Sequence, residues 1–210
     1  MHRIVLFGAP GSGKGTQGDL LEEKFGYKKI STGDLIRAEV KAESDIGKRV
    51  KTIMEKGELV SDDIIIEMVK NRVKKDDITI GYTMDGFPRT LDQAKALSKI
   101  TVEKEIAIFL DVDEDAVVER LVSRLTCKNC GAIFNIKNKP PKNEGTCDEC
   151  GGQLERRKDD NEDTIRNRIA VYRTQTEPAV KYYRENSTLY EVNAAGTVEE
   201  IFSKLEEIVT

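Results

Sequence analysis

Gly8-Ala9-Pro10-Gly11-Ser12-Gly13-Lys14-Gly15-Thr16 decides the fold. It follows a short apolar run, Ile4-Val5-Leu6-Phe7, of the kind a buried parallel strand has. It opens a stretch that carries Leu20, Leu21 and Phe25 on one helical stripe and stops at Gly26. Strand, glycine-rich turn and helix in that order are the context of a phosphate loop. Glycines let backbone N–H groups turn inward as an anion cradle, and the helix N-terminus adds its dipole. Lys14 is placed to reach the outer phosphates of a nucleoside triphosphate, with Gly11, Ser12, Gly13 and Gly15 around it. The general pattern has Ser or Thr directly after the lysine. Here Gly15 intervenes, and Thr16 supplies the hydroxyl for Mg²⁺ or a phosphate oxygen.

Further short strands are expected at 28–31, 80–84, 106–110 and 189–192, with helical patterns between them. Asp113 caps a pattern with Val117, Val118, Leu121 and Leu125 on one face, and Thr197-Val198-Glu199-Glu200 is a capping box before Ile201, Phe202, Leu205 and Ile208. Strands alternating with helices define an α/β fold, a P-loop parallel five-stranded sheet flanked by helices. Two segments interrupt the alternation. Residues 31–60 read as helix on helix, and residues 122–160 read as loop, with Pro140-Pro141, several glycines and all four cysteines. The expected organisation is a core of 1–30, 61–121 and 161–210 carrying insertions at 31–60 and 122–160.

The 210 residues are 38% hydrophobic and 34% charged, with a net charge of −4. That balance supports a buried core and argues against nucleic acid or an anionic membrane as partner. No run approaches the ~20 apolar residues of a membrane span, and the first apolar run is too short for a signal peptide, so the expected location is cytoplasmic. Nothing requires more than a monomer. Cysteines in a reducing compartment serve as metal ligands more often than as disulfides. Cys127-x₂-Cys130 and Cys147-x₂-Cys150 are separated by sixteen residues, a zinc spacing. Four thiolates close a tetrahedral shell, so the expected Zn²⁺ is structural; iron, disulfides and free thiols are the alternatives.

The phosphate loop, written Gly-x-Pro-Gly-x-Gly-Lys-Gly-Thr, resembles that of the adenylate kinase family. Ser31-Thr32-Gly33-Asp34-Leu35-Ile36-Arg37, Gly57-Glu58-Leu59-Val60 and Asp85-Gly86-Phe87-Pro88-Arg89-Thr90-Leu91-Asp92-Gln93 are similar to three more of its motifs. The likeness runs from the first strand to the last helix, and the cysteines match the family's long-lid bacterial form. The resemblance implies reversible, Mg²⁺-dependent phosphoryl transfer, ATP + AMP = 2 ADP, serving adenine nucleotide homeostasis. It makes 31–60 the helical AMP-binding insertion and 122–160 a zinc-binding lid. It assigns AMP to Thr32, Arg37, Gly86, Arg89, Gln93, Arg157, Arg168 and the backbone at Glu58, Leu59 and Val60. It assigns ATP to the phosphate loop, Arg120, Arg124 and the backbone near Val198, and Mg²⁺ to Asp85. Thr32 and Gln93 also have structural readings, as helix cap and capping-box residue.

Phosphoryl transfer asks a protein for positioning and charge stabilisation. Two nucleotides bring about six negative charges, which Lys14, Arg37, Arg89, Arg124, Arg157 and Arg168 would offset. No general base is needed, because the acceptor phosphate is already an anionic nucleophile. A UMP/CMP kinase or a GTP-using relative keeps the same fold with another substrate. A zinc-ribbon nucleic-acid-binding ATPase would need a basic face, which the composition lacks.

Overall fold

The computed structural model describes residues 1–186 and 189–210. The chain begins with β1 (His2–Phe7), α1 (Lys14–Phe25) and β2 (Tyr27–Ser31). Three helices follow: α2 (Thr32–Lys41), α3 (Asp45–Glu55) and α4 (Asp62–Arg72). Then come β3 (Gly81–Asp85), α5 (Leu91–Ser98), β4 (Lys104–Asp111) and α6 (Glu114–Val122). Short strands β5 (Arg124–Cys127), β6 (Ile133–Asn135) and β7 (Leu154–Glu155) precede α7 (Glu162–Val171), which runs through a π-helical turn (Tyr172–Thr176) into α8 (Glu177–Asn186). The chain closes with β8 (Leu189–Asn193) and α9 (Val198–Val209).

β2, β3, β1, β4 and β8 form one parallel sheet in that order. Period-two alternation divides its side chains between two faces. Val5 and Phe7 join Ile30, Met84, Leu97 and Tyr183 in one core; Ile4 and Leu6 join Leu21, Ile108, Ile201 and Leu205 in the other. Burial on both faces explains why β1 and the centre of β4 read as continuous apolar runs, while the edge strands β2 and β8 carry polar residues. In β1 the buried polar residue is Arg3, 3% exposed, which donates to Ile100 O at 2.9 Å and Tyr82 Oη at 3.4 Å and pairs with Glu105. All five strands point the same way, so the loops after β1, β2 and β3 emerge together. Ligands bind at such carboxyl edges where the strand order reverses.

Two expectations need correction. Leu125 does not extend the helical face begun at Val117. Helix α6 stops at Val122, Ser123 takes the C-cap position, and Leu125 pairs with Phe134 in β5. Nor is 122–160 a loop throughout. β6, β5 and β7 form a three-stranded antiparallel sheet over a small core of Cys127, Phe134, Cys147 and Leu154. Its strands have only two to four residues, too few for a period to stand out. The capping box at Thr197 is complete, with Glu200 N donating to Thr197 Oγ1 and Thr197 N donating to the Glu200 carboxylate.

Candidate functional site

The loop between β1 and α1 lines a cleft of about 560 Å³, within the range of small-ligand sites. Lys14 folds back over the loop. Its Nζ donates to Gly8 O at 2.7 Å, Ala9 O at 2.8 Å and Ser12 Oγ at 3.3 Å. Thr16 lines the same wall, and Asp85, at the end of β3, faces the loop from the next strand. Gly15 lies beside that carboxylate: a Cβ there would sit 3.4 Å from Asp85 Oδ2. No side chain among the described residues hydrogen-bonds that carboxylate. A free carboxylate beside a phosphate loop, with Thr16 in the same cleft, is a donor set suited to a hard divalent cation.

The far side of the cleft is cationic. Arg124 and Arg157 come from the segment after α6, Arg168 from α7, and Arg89 from the turn after β3; all four line it. Arg124 is held bidentate by Asp160, with Nε donating to Oδ2 at 2.8 Å. Arg157 Nε donates to Thr126 Oγ1 at 2.9 Å. Arg168 Nη1 reaches Asp159 Oδ2 at 3.0 Å and Asp160 Oδ1 at 3.3 Å. Arg89 Nε donates to Gly86 O at 2.8 Å, and Arg37 pairs with Asp34. Arg157 faces the cleft while its neighbour Arg156 is exposed.

Electrostatics follow from this crowding. Burial lowers Lys14 to about 8; Asp85 opposes the shift, and Arg89, Arg168 and Arg124 add to it. Burial, then Arg124 and Arg37, lowers Arg157 to about 9. Burial lowers Arg168 to about 10 against the pull of Asp159. Burial also lowers Arg89. Asp159 moves the other way: burial would raise it, but Arg168, Arg124, Arg37 and Arg157 hold it below the usual carboxylate range. The cleft holds more positive charge than its carboxylates neutralise, a preorganised place for polyphosphate.

A second, narrower cleft opens from the first. It is lined by Thr32, Ile36, Glu58, Leu59, Val60 and Gln93, and the two share Arg37, Arg89 and Arg168. Thr32 does not cap α2. Ser31 does, accepting from Asp34 N, while Thr32 Oγ1 donates to Gly86 O at 2.8 Å. Gln93 makes only half a capping box: its N–H donates to Thr90 Oγ1, but its Oε1 accepts from Arg89 N at 2.8 Å. Its Nε2 donates to Asp62 Oδ1 at 2.7 Å. The sequence offered no sign of Asp62, which also accepts from Thr90 and lies on another helix. Gln17 was missed as well. It is 1% exposed, and its Nε2 donates to Val198 O at 3.0 Å, while Arg120 Nη2 donates to Ala194 O at 2.7 Å. These two bonds fix residues 194–198 as one wall of the larger cleft. Lys139, Tyr172 and Thr176 also line that cleft, and no motif marked them.

The four cysteines lie together above β5. All four Sγ atoms are within 4.8 Å of one another, with Cys127 to Cys150 at 3.5 Å and Cys130 to Cys147 at 3.7 Å. A tetrahedron with ~2.3 Å metal–sulfur bonds has edges of about 3.8 Å, so the set fits a tetrahedral ion. The spacing is far too long for disulfides, and all four thiols are free. Two equivalent knuckles present them. Gly131 N donates to Cys127 O and Cys127 N to Ala132 O; Gly151 N donates to Cys147 O and Cys147 N to Gly152 O. Gly131 and Gly151 take φ values of 80° and 71°, a left-handed turn that disfavours any side chain. The cluster can hold a metal ion with no open coordination position.

A phosphate loop at the edge of a parallel sheet, facing clustered arginines and a second cleft, defines the P-loop phosphotransferases that act on nucleotides. Comparison with known proteins narrows the class. The family model described as Adenylate kinase matches residues 6–188. The adenylate kinase of Thermodesulfovibrio yellowstonii is 47% identical over 207 residues, covering 97% of this chain and 96% of the relative. Those of Caldicellulosiruptor saccharolyticus and Archaeoglobus fulgidus are 44% and 43% identical, over 99% and 98% of this chain and 97% of each relative. The chain belongs to the adenylate kinase family, and is a nucleoside monophosphate kinase. Among the described residues no helix is long and apolar enough to cross a membrane.

Proposed function

We propose that this chain catalyses the reversible reaction ATP + AMP = 2 ADP with Mg²⁺, and so balances the adenine nucleotide pool. The observation that carries the reading is the pair of clefts meeting at Arg37, Arg89 and Arg168. A donor lying on the phosphate loop and an acceptor in the second cleft would bring their phosphates together there. Lys14, Arg124 and Arg157 flank the transferring group, and Arg37, Arg89 and Arg168 hold the acceptor phosphate. Arginine suits this role because its planar fork makes two parallel bonds to phosphate. An oxygen of the acceptor phosphate attacks the terminal phosphorus in line, and the bond to the leaving diphosphate breaks. The cations gain most where charge spreads in the transition state.

Thr16 and Asp85 would hold Mg²⁺, which neutralises charge on the donor phosphates. Glu58, Leu59, Val60 and Gly86 present backbone to the acceptor base; Thr32 and Gln93 shape that cleft. Arg120 and Val198 border the donor base. Residues 31–60 and 122–160 are the parts that close over the two nucleotides, which keeps water from competing as acceptor. Cys127, Cys130, Cys147 and Cys150 hold zinc, which stabilises the second of these segments. Both clefts lie within one chain, which fits a monomer, and four metal-binding thiolates fit the reducing cytoplasm.

A coupled assay of ADP formation from ATP with AMP, CMP, UMP and GMP tests the proposal. AMP should give the highest kcat/KM; a faster acceptor among the others would refute it.

A further inference from the structure

Helix α7 does more than carry Arg168. One turn of its surface meets the C-terminal end of α3, where the last carbonyls of a helix lack partners. Asn167 Nδ2 donates to Lys56 O at 2.7 Å, and Thr164 Oγ1 donates to Glu55 O at 3.3 Å. Lys56 is the C-cap residue of α3, and Glu55 its last helical residue. Gly57 continues the contact in a left-handed turn with φ 74°. A Cβ there would lie 2.7 Å from Arg168 Cγ and 3.0 Å from Thr164 Cγ2, so the backbone packs against both side chains. Lys158 Nζ stands 3.7 Å from the Glu55 carboxylate, a weak exposed contact at the same junction.

Residues 164, 167 and 168 share one helix face, three and four apart. A single surface of α7 therefore caps α3 and presents Arg168 to both clefts. We propose that Thr164 and Asn167 are positioning residues for the acceptor nucleotide. By capping α3 from a separate helix they seat the helical insertion beside Arg168, so that the backbone at Glu58, Leu59 and Val60 is in place when the acceptor arrives. Neither side chain lines either cleft, and both act through the insertion they hold. The inference rests on the ATP–AMP reading of the site for its kinetic consequence, but not for the contact itself.

Thr164→Val combined with Asn167→Ala removes both donors while keeping most of the shape. Two readouts on the full chain separate the proposal from the function it rests on. Amide hydrogen exchange without nucleotide should show faster exchange across 45–60 in the double variant and unchanged exchange in 122–160. KM for AMP should rise about three- to tenfold, the scale of two modest hydrogen bonds, with KM for ATP and kcat within about twofold. Thr164→Ser with native Asn167 should behave like the wild type. Unchanged exchange across 45–60, or equal rises in both KM values, would overturn the proposal. A wild type that forms no ADP would overturn the functional reading, and the exchange result would still decide whether the cap holds the insertion.

Discussion

Arg124 and Asp160 close the neck of the cysteine-bearing segment. Arg124 stands at the start of β5 and Asp160 two residues before α7, and the two side chains meet in a bidentate pair. Their side chains are 13% and 1% exposed, so the pair is largely shielded from water. Asp160 also accepts from Arg168, which ties the neck to the cationic cleft.

Asp160→Asn should therefore cost stability. Removing one member of a buried pair leaves the other charge uncompensated, on the order of 3 kcal/mol. For a chain of this size that corresponds to a melting temperature lower by roughly 6–12 °C. Calorimetry on the wild type and variant checks it, and a shift under about 2 °C would show that water already solvates the pair.

Lys14→Ala removes a cation that would tighten its contact as charge moves to the leaving phosphate. A loss in kcat on the order of 10²-fold or more is expected, the scale of a lost preorganised donor. Turnover near that of the wild type would remove Lys14 from the mechanism.

Lys14 also sets a pH dependence. Its folded value of about 8 lies below the ordinary 10.5, chiefly through burial. The unfolded chain thus binds the proton more tightly, and this group's contribution to stability grows as pH rises from about 8 to 10.5. Bound phosphates would raise the Lys14 pKa, so above pH 8 ATP binding should take up a proton and weaken as pH rises. Calorimetry at pH 8.5 in buffers of different ionisation enthalpy measures that uptake, and its persistence in Lys14→Ala would assign it elsewhere.

Arg89→Ala should weaken AMP more than ATP. A lost bidentate contact to phosphate is worth about 1.5–3 kcal/mol. Equal weakening of the two nucleotides in titration calorimetry would show that Arg89 serves the cleft as a whole. Its backbone bond to Gln93 is untouched by the substitution, so the turn after β3 should keep its shape.

Cys130→Ser with Cys147→Ser should abolish metal binding and lower thermal stability. The segment's own core is four buried side chains, two of them thiols of the cysteine cluster, too small to stand alone. Well below the melting temperature kcat should fall only modestly, since Arg124 and Arg157 lie outside the knuckles. Metal content, melting temperature and low-temperature kcat on one preparation test this. Complete loss of turnover in a protein whose lid remains folded would give the metal a catalytic part.

The sequence by itself determined the parallel sheet, the phosphate loop and the cysteine knuckles. Each is written in local pattern: an apolar run for a strand buried on both faces, glycines at fixed offsets before Lys14, and paired Cys-x₂-Cys-Gly steps. Arg37 and Arg89 were also visible, because they sit in recognisable strings, and Arg168 through the family resemblance. Only the tertiary structure decided what those residues touch. Asp62 reaches Gln93 from a helix thirty-one positions away, Gln17 holds Val198 from the other end of the chain, and Thr164 and Asn167 cap a helix more than a hundred residues earlier. The short strands of 122–160 were hidden because a two-to-four-residue strand carries no period, and β7 additionally finds its partner β5 27 to 29 residues earlier. Local propensity and motif spacing are properties of neighbours along the chain, whereas caps, buried pairs and cleft walls are made by groups that only folding brings within 3 Å or so of one another.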